Sequence, residues 1–231
     1  MFPQMFDGFL CSPLVQRALK KQIAEIEIMD IKEYVQGSYR DIDESPYGGG
    51  NGMVIRCDAV LPVLNRIRTE QSHVIVLTPA GNTFVQKTAR RLMTADHLIL
   101  IAGHYEGLDQ RIIEEADECI SIGDYVLSGG ELPAMVIMDS LIRLKEGILR
   151  EGSSEDESFE NDRLEYPQYT KPAVYEGKEV PSVLLSGNHE KIRIWRKKES
   201  LRLTMRYRPD LLEIREPDEE EQEYIRQINN E

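Results

Sequence analysis

A chain of 231 residues with 41% hydrophobic and 30% charged side chains can bury the core of one large domain or two modest ones. No apolar run reaches the ~18 residues of a membrane-spanning helix, and Cys11, Cys57 and Cys119, odd in number and far apart with no CxxC, exclude a disulfide framework or zinc site. The formal net charge of -13 argues at first sight against a nucleic-acid partner.

The N-terminus, "MFPQMFDGFL", lacks a basic region, a long apolar core and a cleavage site, so no secretory signal is read there and a cytoplasmic protein with reduced thiols is expected. The predicted elements then alternate. "SPLVQRALKKQ" has a helical pattern, and "AEIEIMDI" (24–31) reads as a strand. "SPYGGGNGMVI" (45–55) is a glycine cluster, either a mobile turn or a backbone that approaches a phosphate or base closely. The helix "CDAVLPVLNRIRTE" is followed by the strand "HVIVLTP" (73–79), the helix "TFVQKTARRLMTA", the strand "HLILIAG" (97–103), the strand "ECISI" (118–122) and the helix "ELPAMVIMDSLIRLKEG". Strands alternating with helices predict an α/β domain with a mainly parallel sheet.

Residues 150–170 are acidic and Ser-rich, and read as a linker or lid. Beyond them, "GNHEKIRIWRKKESLRLTMRYR", "RPDLLEI" and "PDEEEQEYIRQIN" read as helices of a small second domain. The expected divisions are 1–149, 150–165 and 166–231. The charge is divided the same way. Residues 151–165 carry net -6 and residues 209–231 net -7, so the rest of the chain sums to zero. Lys191 to Arg208 holds eight bases and one acid: a solvated helix face, or a surface for a phosphate backbone, which responds to local charge.

Three glycine-bearing loops follow predicted strands: "TPAGNT" (78–83), "AGHYEG" (102–107) and "IGDYVLSGG" (122–130). Loops at the carboxyl ends of parallel strands form the ligand crevice. No G-x-G-x-x-G opens a helix and no G-x-x-x-x-G-K-[ST] is present, which removes the dinucleotide and P-loop readings. His73, His97, His104 and His189 show no metal-ligand spacing. His73 and His97 open strands and read as structural, and His104 lies in the second glycine loop. Trp195 reads as a packing anchor.

"YGGGNGM", "AGHYEGLDQRI", "SIGDYVLSGGELPAMVIMDS", "LEYPQYTKP" and "VLLSGNHEKIRIWR" occur in this order. Together they resemble the bacterial tRNA (guanine-N1)-methyltransferase family, TrmD, from "FPQMF" at residue 2 to about "RPDLL" at 208–212. The resemblance implies a SPOUT-type α/β fold with a deep trefoil knot and a small C-terminal helical domain. It implies transfer of a methyl group from S-adenosylmethionine, leaving S-adenosylhomocysteine, to N1 of the guanine at tRNA position 37, which protects the reading frame. Carried over by position, the cofactor residues are Thr78, Pro79, Gly81, Gly103, Tyr105, Glu106, Gly107, Ile122, Gly123, Asp124, Tyr125, Val126, Leu127, Gly129, Gly130 and Pro133. Glu165 matches the catalytic carboxylate, where several members have Asp, and Arg150 matches the arginine that stabilises the base or a phosphate. Without the resemblance Glu165 is one more acid in an acidic stretch.

Arg193, Arg196, Lys197 and Arg202 are the candidate tRNA contacts. The resemblance also implies a homodimer whose active site is shared between chains. It brings Mg²⁺ into consideration, although no ligand cluster marks a site and no metal residue is assigned. Ala102 and His104 depart from the Cys and Arg of some members. The competing readings are a SPOUT methyltransferase of another RNA position and a non-catalytic RNA-binding protein.

Overall fold

The computed structural model describes residues 2–35, 42–149 and 157–230. The chain divides into two compact units, Met1–Leu149 and Arg150–Glu231.

In the first unit a 3-10 turn, Pro3–Phe6, leads into α1 (Asp7–Leu10) and α2 (Pro13–Lys20). Pro13 starts α2 where its missing N–H leaves no bond unmade. The short strands β1 (Asp43–Glu44) and β2 (Val54–Ile55) pair antiparallel across the glycine cluster. Then follow α3 (Cys57–Ile67), β3 (Ser72–Thr83), α4 (Gln86–Leu92), β4 (His97–Ala102), α5 (Gln110–Glu114), β5 (Glu118–Ser121) and α6 (Glu131–Leu144). The sheet has the order β4-β3-β5 and all its pairings are parallel, as the alternation predicts.

Helices on both faces explain the apolar run at its centre, where Val74 to Leu77 are all buried. Val74 packs with Leu64, Ile67 and Ile99 on one face. Ile75 and Leu77 point the other way and join Leu92 of α4 with Ala134, Ile137 and Leu141 of α6. Along β5 the register jumps: Ile120 pairs with Leu77 and again with Asn82, so residues 78–81 of β3 bulge out of the pairing with β5.

The run 24–31 departs from its strand reading. Ala24, Ile26 and Ile28 do pack inward while Glu25 and Glu27 are more exposed, as period-two alternation requires. Yet residues 24–29 have no ladder partner among the described residues, and the run ends in the 3-10 turn Ile31–Glu33. Alternation specifies which side chains face the core; it does not supply the neighbouring strand.

The second unit contains the hairpin β6 (Val174–Tyr175) and β7 (Lys178–Glu179), then α7 (Ser182–Leu185), α8 (His189–Tyr207), α9 (Asp210–Ile214) and α10 (Glu219–Asn229). Asn188 caps α8 by accepting from the Lys191 N–H, and Asp218 with Glu221 forms a reciprocal capping box on α10. The acidic stretch is not a free linker from residue 157 onward. Arg163 is 6% exposed and donates to the Glu221 carboxylate at 3.0 Å and to the Leu211 carbonyl at 3.2 Å. Thr204 of α8 accepts from the Leu164 N–H at 2.9 Å, and Ser200 donates to the Leu164 carbonyl at 2.6 Å. Charge density alone reads as disorder; one buried arginine with matched acceptors reverses it.

Among the described residues no helix is long and apolar enough to cross a membrane.

Acids of α10 neutralise bases of α8. Lys197 lies 2.6 Å and Arg193 3.1 Å from Glu220, and the Tyr224 hydroxyl donates to the same carboxylate. The Lys197, Tyr224 and Arg193 hydrogen bonds hold the Glu220 carboxyl down from its ordinary 4.5 to about 2. A depressed carboxylate stabilises the fold above its unfolded pKa and stops doing so as pH falls through its folded one. The α8–α10 contact is therefore expected to hold at neutral pH and to weaken between about pH 4.5 and pH 2. Amide exchange of α10 followed across that range tests this. Protection in Glu220→Gln should already be lower at pH 7 and should change less on acidification.

Candidate active site

The three glycine loops meet at the carboxyl ends of β3, β4 and β5, where an open parallel sheet forms its crevice. The cleft between them has a volume of about 240 Å³. All the carried-over cofactor residues line it except Gly81 and Asp124. His104 and Ser128 also line it, and neither belongs to that set, although the position of His104 in the second loop is a signal.

Gly81 has a different task. A Cβ there would fall 2.4 Å from the Ile120 N and 2.5 Å from the Cys119 carbonyl carbon, so its hydrogen lets the first loop cross β5. A Cβ on Gly130 would lie 2.7 Å from the Ala102 Cα and 2.9 Å from the Gly103 N. There the third loop is pressed against the second, and the Gly130 N–H donates to the Gly103 carbonyl at 2.7 Å. Gly107 is the opposite case: a Cβ would meet nothing within 4 Å, and its φ of +129° is one that L side chains rarely adopt. Backbone at this position faces open cleft.

The glycine cluster after β1 lies beside the second loop without lining the cleft. A Cβ on Gly52 would sit 2.4 Å from the Glu106 side chain, and the Glu106 N–H donates to the Met53 carbonyl at 3.0 Å. Tyr125 and Val126 are exposed at the rim, 56% and 86%.

One polar pair ties the second loop to the third. His104 Nε2 is 2.7 Å from Glu131 Oε2, with side-chain exposures of 13% and 3%. His104→Ala is expected to withdraw the imidazole from this buried carboxylate and to cost about 1–3 kcal/mol. Thermal denaturation measures it, and His104→Gln, which keeps a donor, should recover part of the stability. The two strand histidines hold contacts at the strand starts: His73 lies 3.2 Å from Glu118, which Arg91 also holds, and His97 pairs with Ser72 at 2.7 Å.

In the second unit Glu165 is half-buried. Its N–H donates to Ser158 Oγ at 2.9 Å, and one carboxylate oxygen accepts from Gln168. Arg150 lies outside the described residues. Of the four basic candidates, Arg193 and Lys197 are engaged by Glu220, Arg202 lies 3.2 Å from Glu199, and Arg196 stacks 4.7 Å over the Tyr166 ring. Trp195 packs beside Tyr169, their centroids 6.2 Å apart. Among the described residues no group of three or more His, Cys, Asp or Glu comes together that could hold a metal ion.

Residues 1–214 match the sequence profile of the family described as tRNA (Guanine-1)-methyltransferase TrmD. The chain belongs to the TrmD family. It is 45% identical over 232 residues to a tRNA (guanine-N(1)-)-methyltransferase of Dictyoglomus turgidum, covering 100% of this chain and 95% of the relative. A protein of the same name from Alkaliphilus oremlandii is 45% identical over 241 residues, covering 100% and 96%. One from Carboxydothermus hydrogenoformans is 48% identical over 217 residues, covering 93% and 86%. Membership in TrmD makes the chain an enzyme, a methyltransferase. The cleft at the strand ends is where the TrmD motifs "AGHYEG" and "SIGDYVLSGGELP" converge.

Proposed function

We propose that the chain methylates N1 of the guanine at tRNA position 37, with S-adenosylmethionine as donor bound in the cleft of the first unit. The observation that carries this reading is the convergence of the three family loops on one cleft, with backbone rather than side chains at Gly103, Gly107 and Gly123. Apolar walls at Leu108, Ile122 and Leu127 suit a purine ring, and Glu106 offers a carboxylate to a cationic sulfur. When bound, the donor supplies an electrophilic methyl on that sulfur.

The chain's own residues must then make guanine N1 nucleophilic. N1 carries a proton at neutral pH, so a base has to accept it, and positive charge near O6 steadies the ring as it becomes anionic. Glu165 is the proposed base and Arg150 the proposed stabilising cation. Glu reaches one methylene further than the Asp of some relatives. The hydrogen bonds from Leu164 and Glu165 to Thr204 and Ser158 give this carboxylate a fixed backbone to work from.

We also infer a knotted threading, a homodimer, and sites each formed by the first unit of one chain and the second of its partner. Chain crossing chain at Gly81 and Gly130 supports the knot. The divisions 1–149 for donor binding, 150–165 for a connecting lid and 166–231 for tRNA binding belong to the same proposal, as does a role for Mg²⁺.

The test is methylation of unmodified tRNA followed by mapping of the product. Blockage of reverse transcription at the guanine 3′ of the anticodon is expected, because N1 is a Watson–Crick donor. Modification elsewhere points to the SPOUT enzyme of another position, and donor and tRNA binding without product to a binding protein. Neutralising Arg193, Arg196, Lys197 and Arg202 together should flatten the salt dependence of tRNA affinity, by roughly one unit of slope for each side chain that faces a phosphate. An unchanged slope would leave α8 a self-neutralised face paired with α10.

A further inference from the structure

Two residues before Glu165, the buried guanidinium of Arg163 donates on both of its terminal nitrogens. Nη1 donates to the carbonyls of Asp162 at 2.8 Å and Leu211 at 3.2 Å. Nη2 donates to the Arg215 carbonyl at 3.1 Å and to Glu221 Oε2 at 3.0 Å. The other Glu221 oxygen accepts from Arg215 at 2.7 Å, and Arg215 Nε reaches back to the Asn161 carbonyl at 3.1 Å. The segment that leads into Glu165 is thus bound to α9 and to the first turn of α10.

Stability gives only a weak reason for this arrangement. Glu221 is 3% exposed, and the desolvation of two buried charges offsets much of their attraction, so an apolar pair often holds a fold as well. What an apolar side chain lacks is direction. A guanidinium donates in a plane at fixed angles, so its acceptors fix where Arg163 stands as well as how deeply it is buried. The turn ahead of it needs such a hold from outside. Phe159 and Asp162 have φ of +73° and +52°, left-handed conformations that residues with a side chain seldom adopt.

From Arg163 to Glu165 the backbone is held at every residue. The Arg163 carbonyl accepts from the Phe159 N–H at 2.7 Å. Thr204 and Ser200 of α8 take both polar backbone groups of Leu164, and Ser158 takes the Glu165 N–H. These bonds hold the segment from α8 and from its own turn; the Arg163 fork holds it from α9 and α10. A base that must meet one ring nitrogen tolerates little error, since a misplacement of about 1 Å costs up to about 100-fold in rate.

We propose that Arg163 is a positioning residue for methyl transfer: its guanidinium, braced by Glu221 and Arg215, sets the backbone from which Glu165 reaches the guanine. This rests on the reading of Glu165 as the base. The part played by Arg163 is geometric, so it shows in turnover and not in binding.

The test begins with Arg163→Met, which keeps a long side chain and removes the donors. Glu221 then still has Arg215 and the Asp218 N–H. Turnover is expected to fall roughly 10–100-fold, with the KM for tRNA and the affinity for S-adenosylmethionine within about twofold of wild type. The deciding comparison is Arg163→Met/Glu165→Gln against Glu165→Gln alone. The two should turn over equally slowly, because the position of a base is immaterial once the base is gone. General structural damage would instead multiply the two losses. Should Arg163→Met fail to fold, Arg163→Met/Glu221→Gln, which removes both buried charges, replaces it in each comparison. Wild-type turnover in the Arg163 variant, a loss confined to KM, or a double variant slower than Glu165→Gln by the full Arg163 factor overturns the positioning role and leaves the base in place. Wild-type turnover in Glu165→Gln overturns the base itself, and the positioning role with it.

Discussion

Glu165→Gln is expected to lower turnover by roughly 10²–10⁴-fold with donor affinity nearly unchanged. The substitution preserves shape and leaves a carbonyl that can still accept from Gln168, so the local structure has no reason to move. It removes the only group proposed to take the N1 proton. Glu165→Asp should retain part of the activity, because the shorter side chain is still a carboxylate base. The shared-site proposal adds a sharper expectation. A folded chain defective in donor binding and a Glu165→Gln chain, each inactive alone, should regain activity on co-expression. The mixed dimer then has one site with an intact cleft and an intact base. Purified mixed dimers that stay inactive, while wild-type and single-mutant mixtures do not, would sink the shared site and leave each chain using its own carboxylate.

Gly130→Val is expected to abolish detectable donor binding and to lower thermal stability. The new Cβ would stand 2.7 Å from the Ala102 Cα and 2.9 Å from the Gly103 N. Both are backbone atoms at the end of β4, so relief requires the second loop to separate from the third. Overpacking of this kind costs about 1–3 kcal/mol. It also breaks the hydrogen bond between Gly130 and Gly103, two residues that line the cleft. Calorimetric titration with S-adenosylmethionine and a melting curve read the two effects. Gly8→Ala is the control: nothing lies within 4 Å of its Cβ position in α1, so donor binding should stay as it is and melting should not fall. Wild-type donor affinity in a folded Gly130→Val protein would mean that the loops do not need this contact.

Much of both the fold and the site is legible in the chain itself. The alternation of β-branched runs with amphipathic segments encodes β3, β4, β5 and the helices α3, α4 and α6, because side-chain period is a local property of each segment; the five-residue α5 is too short to show one. Asn188 and Asp218 announce the starts of α8 and α10 by the same local logic. The motif glycines mark the cleft, since a loop with no Cβ is visible wherever it folds.

Other facts exist only in three dimensions. The sequence cannot say that Gly81 and Gly130 make room for other backbone while Gly107 opens on the cleft, because the difference lies in what crosses them from far along the chain. It cannot tell that Glu220 claims Arg193 and Lys197, a pairing across two helices that charge counting reads as separate basic and acidic blocks. Nor can it reveal that residues 24–29 have no ladder partner among the described residues. Periodicity determines which way a side chain points, but a ladder hydrogen bond needs a second backbone at the right distance, and only the packed sheet decides whether one is there.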